Sequence, residues 1–352
     1  LLDGARRMCL SVGEPLPLAT LGTVRPGGIE IAGRGLGGEW SNVLLCGSTG
    51  IGLGGGDDDD GIMLLGTEAA PGAALTEALD LRSDVLYDLE VNPNRPDAMS
   101  VAGVARDLAA RQGVPFALPE PDVAESGDGA AGRVLVEILD PELCGRFGLR
   151  VLDGVSVGTS PRWLVNRLNA LGQRSINSVV DASNYVMLEL GQPNHTYDLA
   201  RVAGGAFRIR RAGEGEAIPT LDGVERTLTA ADGVIADGDD VAVGIAGIMG
   251  GANTEIGAGT TTVALEMAWW DPKTIAASAR RLGLRSEASA RFERGCDPEV
   301  VELAMRRFAA FLAPSSSPLS PALLPPPLHL PVPPLVPVPP PPPPPLLPPS
   351  PP

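Results

Sequence analysis

Between Arg174 and His195 the chain gathers Arg174, Asp181, Ser183, Asn184, Tyr185, Gln192, Asn194 and His195, with Tyr197 and Asp198 just beyond. Residues of these types can move protons or activate a nucleophile, and an imidazole is the side chain best placed to do so near neutral pH. The chain has 2 His, and the other, His329, lies in a proline-rich stretch. His195 is thus the imidazole of the folded part. It reads either as a general base or as a histidine satisfied by its neighbours in the turn after Gly191 and Pro193. Ser183 and Asp181 would complete a Ser-His-Asp system, but the G-x-S-x-G nucleophile elbow is missing, which argues against that chemistry.

Two further features stand out. The segment Gly244-Ile-Ala-Gly-Ile-Met-Gly-Gly251 has glycines at 244, 247, 250 and 251, which let backbone approach a ligand closely. It lacks both the G-x-G-x-x-G pattern and a following Lys-Ser/Thr pair, so neither dinucleotide nor P-loop binding follows, and a tight strand-to-strand corner is the simpler reading. Glu266 sits in a run otherwise made of Val, Ala, Leu and Met. A carboxylate there needs a partner or must face solvent, and alternation alone allows either.

The elements that must position these groups can be read from periodicity. Short strands at Met8–Val12, Ile29–Ala32, Val43–Cys46 and Ile62–Leu65, separated by glycine turns, suggest a small β-barrel or sandwich. The Asp57–Asp60 run between Gly56 and Gly61 reads as a solvated loop, with a bound divalent ion as the alternative. A turn at Asn92–Asp97 precedes a helix capped by Ser100 and stopped at Gly113. Residues 114–131, polar and rich in Pro and Gly, read as a linker. Beyond it, Val134–Leu139, Phe207–Arg211, Val234–Ala236, Val241–Ile245 and Thr262–Met267 are strand-like. Three helices share one entry signal, a capping residue before Pro: Ser160-Pro161, Asp271-Pro272 and Asp297-Pro298. This order predicts a mixed α+β domain with a substantial sheet.

Composition bounds the function classes. Lys+Arg 27 against Asp+Glu 43 gives a net charge of -16, which does not advertise a sequence-independent grip on nucleic acid through summed charge, so any nucleic-acid role must be local. The 4 Cys contain no C-x-x-C pair, which argues against a zinc site or a disulfide framework and fits a reducing cytosol. No secretory leader and no long apolar run suggests export or membrane spanning. Residues 313–352 hold most of the 36 Pro and no charged residue. They read as a disordered polyproline segment or as the product of a shifted reading frame.

The strings Val91-Asn-Pro-Asn-Arg-Pro-Asp-Ala-Met-Ser100 with Gly103-Val-Ala-Arg106, Val179-Val-Asp-Ala-Ser-Asn-Tyr185, Leu190-Gly-Gln-Pro-Asn-His195, Gly247-Ile-Met-Gly-Gly251 and Ser286-Glu-Ala-Ser-Ala-Arg-Phe-Glu-Arg-Gly295 resemble, in order, motifs of the β subunit of bacterial phenylalanyl-tRNA synthetase. Gly38-Glu-Trp-Ser-Asn42 and Leu45-Cys46 resemble that subunit's tRNA-binding OB-like domain. The implied organisation is an incomplete OB-like barrel over 1–83, a helical connecting segment over 84–113, the linker 114–131, a B3/B4-type editing domain over 132–312 and the tail 313–352. The resemblance leaves the family's start and its C-terminal domains unrecognised.

What the resemblance implies is tRNA binding and proofreading, the hydrolysis of tyrosine mischarged on phenylalanine tRNA. Glu266 and the backbone at Gly247 and Gly250 would receive the tyrosyl hydroxyl. His195 and Asn184 would stand near the scissile ester, with Ser183, Arg174, Ser286 and Ala288 lining the same cavity. The implied partners are an α subunit, in an α2β2 heterotetramer, and tRNA-Phe, with no DNA and no membrane. ATP and Mg2+ would serve the whole α/β enzyme, none bound by this part, in the cytoplasm. The alternatives are a non-catalytic fragment that holds tRNA or the α subunit, and a truncated gene product without independent activity.

Overall fold

A computed structural model describes residues 15–25, 27–36, 38–52, 62–63, 65, 70–79, 85–123, 125 and 129–313. The expected strand at Met8–Val12, the Asp57–Asp60 loop, part of Ile62–Leu65 and nearly all of the proline-rich segment lie outside these residues. Leu18–Thr20 (β1), Arg34–Leu36 (β2), Glu39–Ser41 (β3) and Val43–Leu45 (β4) form two antiparallel ribbons, β1 with β4 and β2 with β3. Ala19, Ile31 and Cys46 make a small cluster between them. The expected barrel is therefore only partly realised: among the described residues no sheet closes on itself. Closure requires strands long enough to tilt and stagger, and these are three residues each. Ile29–Ala32, expected as a strand, contributes one isolated bridge, Val24 with Glu30. The left-handed turn at Gly27 and Gly28 intervenes, and Ile29 is left exposed.

After a one-turn helix at Leu75–Ala78 (α1), the helix foreseen after Ser100 runs over Val101–Gln112 (α2). Ser100 Oγ accepts from Gly103 N at 3.0 Å, and Gly113, at φ 66°, ends the helix in the left-handed region. A Cβ at Gly103 would sit 1.9 Å from the Asp97 carbonyl oxygen, so only glycine lets the preceding turn fold onto the helix.

The larger region contains Leu135–Ile138 (β5), Cys144–Asp153 (β6), Arg162–Ala170 (α3), Ser178–Leu190 (α4), Asn194–Asp198 (β7), Ala206–Arg211 (β8), Ala217–Pro219 (β9), Glu225–Thr227 (β10), Gly233–Ala236 (β11), Ala242–Ile245 (β12), Met249–Gly250 (β13), Thr262–Trp270 (β14), Pro272–Leu282 (α5), Glu287–Phe292 (α6) and Val301–Leu312 (α7). Two sheets carry it. One is antiparallel, in the order β6-β14-β7; the other runs β13-β12-β11-β8-β5, with β5 parallel to β8. The mixed α+β expectation holds.

The three-stranded sheet is covered on both faces. Phe147, Leu149, Val151, Tyr197, Ala264 and Ala268 face the other sheet, meeting Phe207, Ile209, Val234, Ile235 and Ile245. Leu152, Val263, Leu265 and Met267 face Val179, Ala182 and Val186 of α4 and Val301, Ala304 and Phe308 of α7. Strands buried on both sides lose the alternation that marks a half-solvated strand. That is why β14 reads clearly as apolar, whereas β6, interrupted by Arg146, Gly148 and Arg150, escapes sequence reading. Both arginines are buried and take partners: Arg146 Nη1 donates to Pro298 O at 2.6 Å, and Arg150 Nη1 donates to Glu125 Oε1 at 2.6 Å.

The helix entries differ in detail from expectation. Asp271 caps α5, accepting from Thr274 N at 2.9 Å. At Ser160-Pro161 the N-cap is Pro161 and no side chain caps α3; Ser160 Oγ instead donates to Asp181 Oδ2 at 2.5 Å. A buried carboxylate binds that hydroxyl more strongly than a helix end does. Asp297 accepts from Glu299 N, but Pro298–Val300 is a 3-10 turn and α7 begins at Val301. Cys46, Cys144 and Cys296 are free. Among the described residues no helix is long and apolar enough to cross a membrane.

Candidate functional site

The cavity opens between the two sheets at the glycine-rich segment. It measures about 70 Å3 and is lined by Pro193, by Asn194, His195 and Tyr197 of β7, by Glu266 of β14, by Ile235, Gly244, Ile245 and the run from Gly247 to Gly250, and by Ala288 and Phe292 of α6. On a scale where one water takes roughly 10–15 Å3, that is room for about five to seven waters, and under half of the roughly 150 Å3 that holds a benzene ring.

Strand pairing brings the polar groups together. β7 and β14 are antiparallel with His195 opposite Glu266 and Tyr197 opposite Ala264. Residues two apart on a strand share a face, so His195 and Tyr197 stand side by side, their rings edge to face at 4.6 Å between centroids. Tyr197 Oη donates to Glu266 Oε2 at 2.6 Å. The walls are otherwise mostly apolar: Ile235, Ile245, Ile248, Met249 and Phe292.

These surroundings shift the ionisable groups. Burial pushes the Glu266 carboxyl up to about 7, against the stabilising hydrogen bond from Tyr197. Burial pushes His195 down to about 4, so the imidazole is neutral at pH 7. Burial and the neighbouring Glu266 carboxylate push the Tyr197 phenol well above its usual range. His195 Nε2 is buried and has no hydrogen-bond partner within the protein. That nitrogen is sealed behind Gly250, so a small molecule in the cavity reaches it only if the ring or the glycine segment shifts.

The glycines allow the close approach. A Cβ on Gly250 would fall 2.2 Å from His195 Nε2, so backbone lies directly against the imidazole. Gly247, at φ 66°, turns the chain, and a Cβ there would fall 2.8 Å from Ile275 Cδ1. Ser286, the N-cap of α6, donates from Oγ to Ile248 O at 2.7 Å and so pins the segment from behind.

The sequence constellation separates into cavity and scaffold. His195, Glu266, Gly247, Gly250 and Ala288 line the cavity together; Asn184, Ser183, Arg174 and Ser286 are not among its lining residues. Ser183 and Asn184 lie on α4, a helix that the spacing of Val179, Ala182, Val186 and Leu190 between Asn177 and Gly191 could have revealed. A helix turns successive residues about 100° apart, which scatters a polar run that is contiguous in sequence. Asp181 is fully buried and engaged by Ser160 Oγ, Ser175 Oγ and Ile176 N, so it is committed to the α3–α4 turn rather than to a triad with His195. Ser183 offers its carbonyl oxygen to Asn194 Nδ2 at 3.1 Å. Arg174 is exposed in that same turn. Tyr197 was visible in the sequence without a role; the period-two spacing from His195 is the signal that places it.

The cavity wall holds one carboxyl, two buried atoms without a partner, His195 Nε2 and Asn194 Oδ1, and close backbone. Its lining holds no Ser or Cys hydroxyl or thiol. Among the described residues, no group of three or more His, Cys, Asp or Glu is gathered as a metal site.

Comparison with known proteins bears on the same residues. A family model described as B3/4 domain matches residues 143–315. The phenylalanine–tRNA ligase beta subunit of Anaeromyxobacter dehalogenans (strain 2CP-C) is 48% identical over 302 residues, covering 86% of this chain and 37% of the relative. That of Nitratidesulfovibrio vulgaris is 46% identical over 304 residues, covering 86% and 38%. The chain thus spans well under half the length of the curated relatives it matches. A crystal structure of an N-terminal fragment of the Pyrococcus horikoshii phenylalanyl-tRNA synthetase beta-subunit aligns with 54% of this chain and 59% of that one at 16% identity, with a TM-score of 0.30 that is too low to bear on the fold.

Proposed function

Because the chain belongs to the phenylalanine–tRNA ligase β-subunit family, we propose that its inter-sheet cavity is an editing site that hydrolyses tyrosine mischarged on phenylalanine tRNA. The observation that carries this reading is Glu266, buried at the wall of an apolar cavity with no cation beside it. A pocket built around a hydrogen-bond acceptor gains from a phenolic hydroxyl what a phenyl ring cannot supply, and leaving such an acceptor unpaired is costly. Discrimination of tyrosine from phenylalanine is therefore the easy direction for this site.

In this reading His195 holds the attacking water. With its conjugate acid at about 4, it takes a proton poorly, but its unpaired Nε2 would orient a water against the ester once a shift of the glycine segment exposes it. The water oxygen bonds to the ester carbonyl carbon, the bond to the terminal ribose oxygen breaks, and the proton ends on that ribose oxygen. Gly250, held against the ring, keeps the imidazole in place.

In this reading the chain works as part of a larger assembly with an α subunit and tRNA, and ATP and Mg2+ serve aminoacylation elsewhere in it. The cavity does not fit a triphosphate: its one ionisable acid is Glu266, its glycine segment has no Lys-Ser/Thr, and its walls are apolar. The small volume favours a second reading, a scaffold that binds tRNA or the α subunit without chemistry. The experiment that separates them is deacylation of tyrosyl-tRNA-Phe by the wild type, Glu266→Ala and His195→Ala. Hydrolysis lost in both variants is expected; equal rates in all three sink the editing reading, and tRNA binding without hydrolysis in the wild type supports the scaffold.

A further inference from the structure

Tyr197 lies deeper in the site than any role considered so far requires. Its ring is fully buried, packed edge to face on His195 at 4.6 Å and on Phe207 at 5.1 Å, so the phenol has no freedom to turn away. Its hydroxyl is committed to one oxygen of Glu266, Oε2, at 2.6 Å. A phenylalanine would fill the same space. The hydroxyl adds the hydrogen bond to Glu266, and it is a phenol already placed against the carboxyl that a phenol-bearing substrate would seek.

We propose that Tyr197 is a positioning residue that sets the direction of the Glu266 carboxyl, occupying Oε2 so that Oε1 is the carboxyl oxygen left to accept from one phenolic hydroxyl. The assignment rests on the phenol-acceptor reading of the cavity and deepens it.

Three physical consequences support it. A carboxyl buried without a cation tends to stay protonated, and a protonated carboxyl can turn its own hydrogen toward the cavity and so lose its selectivity for donors. A hydrogen bond from Tyr197 favours the carboxylate and opposes that drift. It also fixes the plane of the group, which on a strand has little else to hold it. The titratable neighbours are few: His195 and Tyr197 on β7 and Cys144 on β6, while the glycine segment and α6 present Met249, Gly250, Ala288 and Phe292. None of these can replace Tyr197 as a donor to Oε2 except His195, whose Nε2 lies against Gly250 instead.

The test uses the 352-residue chain with p-cresol as the probe and toluene as its hydroxyl-free control, binding being followed by ligand-observed NMR from pH 5 to 9. Wild type is expected to prefer p-cresol, with a preference that grows as Glu266 ionises. Tyr197→Phe, which keeps the ring packing, is expected to lower that preference roughly tenfold at pH 7 and to move its pH midpoint upward by about one unit. Glu266→Gln is expected to abolish the pH dependence. An unchanged midpoint in Tyr197→Phe, in a variant whose thermal unfolding shows it folded, overturns the assignment, as does a pH dependence that survives Glu266→Gln. If the wild type fails to hydrolyse tyrosyl-tRNA yet shows the shifted p-cresol preference, the editing reading falls and the Tyr197 assignment stands.

Discussion

Arg150 on β6 and Glu266 on β14 are both buried ionisable side chains, and the strand register sets them one residue apart: Arg150 pairs with Leu265, and Leu149 pairs with Glu266. They are treated in opposite ways. Arg150 points to the helix side of the sheet, where Glu125 and Glu302 of α7 accept its hydrogen bonds at 2.6 and 3.5 Å. Glu266 points to the cavity side, where its partner is a phenol and no cation is present. A guanidinium this close in sequence register could neutralise Glu266, but the pleat puts it on the other face. The lesson is that a buried charge paired with opposite charges stabilises the scaffold, while a buried carboxyl without a counter-ion at a cavity wall keeps a shifted pKa and is the group to test for function.

That contrast can be broken in order of effect. Arg150→Ala should lower the unfolding free energy by about 3 kcal/mol, because it removes a buried stem and leaves Glu125 and Glu302 without their cation. Denaturant titration would measure this, and the folded variant should keep its ratio of tyrosyl- to phenylalanyl-ester hydrolysis. Loss of that ratio would mean the two faces are coupled. Gly250→Ala should strike the site as well as the fold. The added methyl falls 2.2 Å from His195 Nε2, so hydrolysis should drop about a hundredfold while stability falls by about 2 kcal/mol. Retained activity would show that His195 need not stay where the structure has it.

A third test reads the two cavity groups through pH. Glu266 is raised to about 7 in the fold, so it binds a proton that the unfolded chain releases near 4.5; its stabilising effect is full below the unfolded value and is lost as pH rises towards 7. His195 is lowered to about 4 from 6.5, so its destabilising effect sets in as pH falls from about 6.5 towards 4. Between about 4.5 and 6.5 these slopes oppose each other at up to about 1.4 kcal/mol per pH unit each. Stability measured across that window should be nearly flat for these two groups in wild type, should rise with pH in Glu266→Gln, and should fall with pH in His195→Gln. Equal slopes in both variants would overturn the burial argument. The smallest effect is expected from Ser286→Ala, which removes the cap of α6 and the hydroxyl holding Ile248 O. A loss of about 1 kcal/mol in thermal unfolding with a severalfold drop in hydrolysis is expected. A hundredfold drop would move Ser286 from the support of the glycine segment into the chemistry itself.

Much of the helix and sheet content was legible because local signals act alone. Asp271-Pro272 and Ser100 with Gly113 bracket helices by capping chemistry that needs no tertiary partner. β14 and β11 show as apolar runs. β6 was hidden because Arg146 and Arg150 read as surface residues until a carbonyl oxygen and carboxylates far along the chain are known to meet them. α4 was hidden behind its own polar residues, although its apolar spacing was present. The N-terminal ribbons were over-read, since turn residues announce strands without saying whether they are long enough to close.

For the site, residue types and motif order alone singled out His195, Glu266 and the glycines of 247–250 as the groups worth watching, and they marked the family resemblance. They could not decide that Asp181 is spent on Ser160 and Ser175, that Ser183 and Asn184 stand off the cavity on a helix, or that Tyr197 is the partner of Glu266. Those outcomes depend on which strand pairs with which and in what register. A one-residue slip of β14 against β7 would turn Glu266 towards α4 and α7 and leave the cavity without its acceptor. Composition and spacing name the groups; strand pairing, which joins residues far apart in the chain, chooses the face on which they meet.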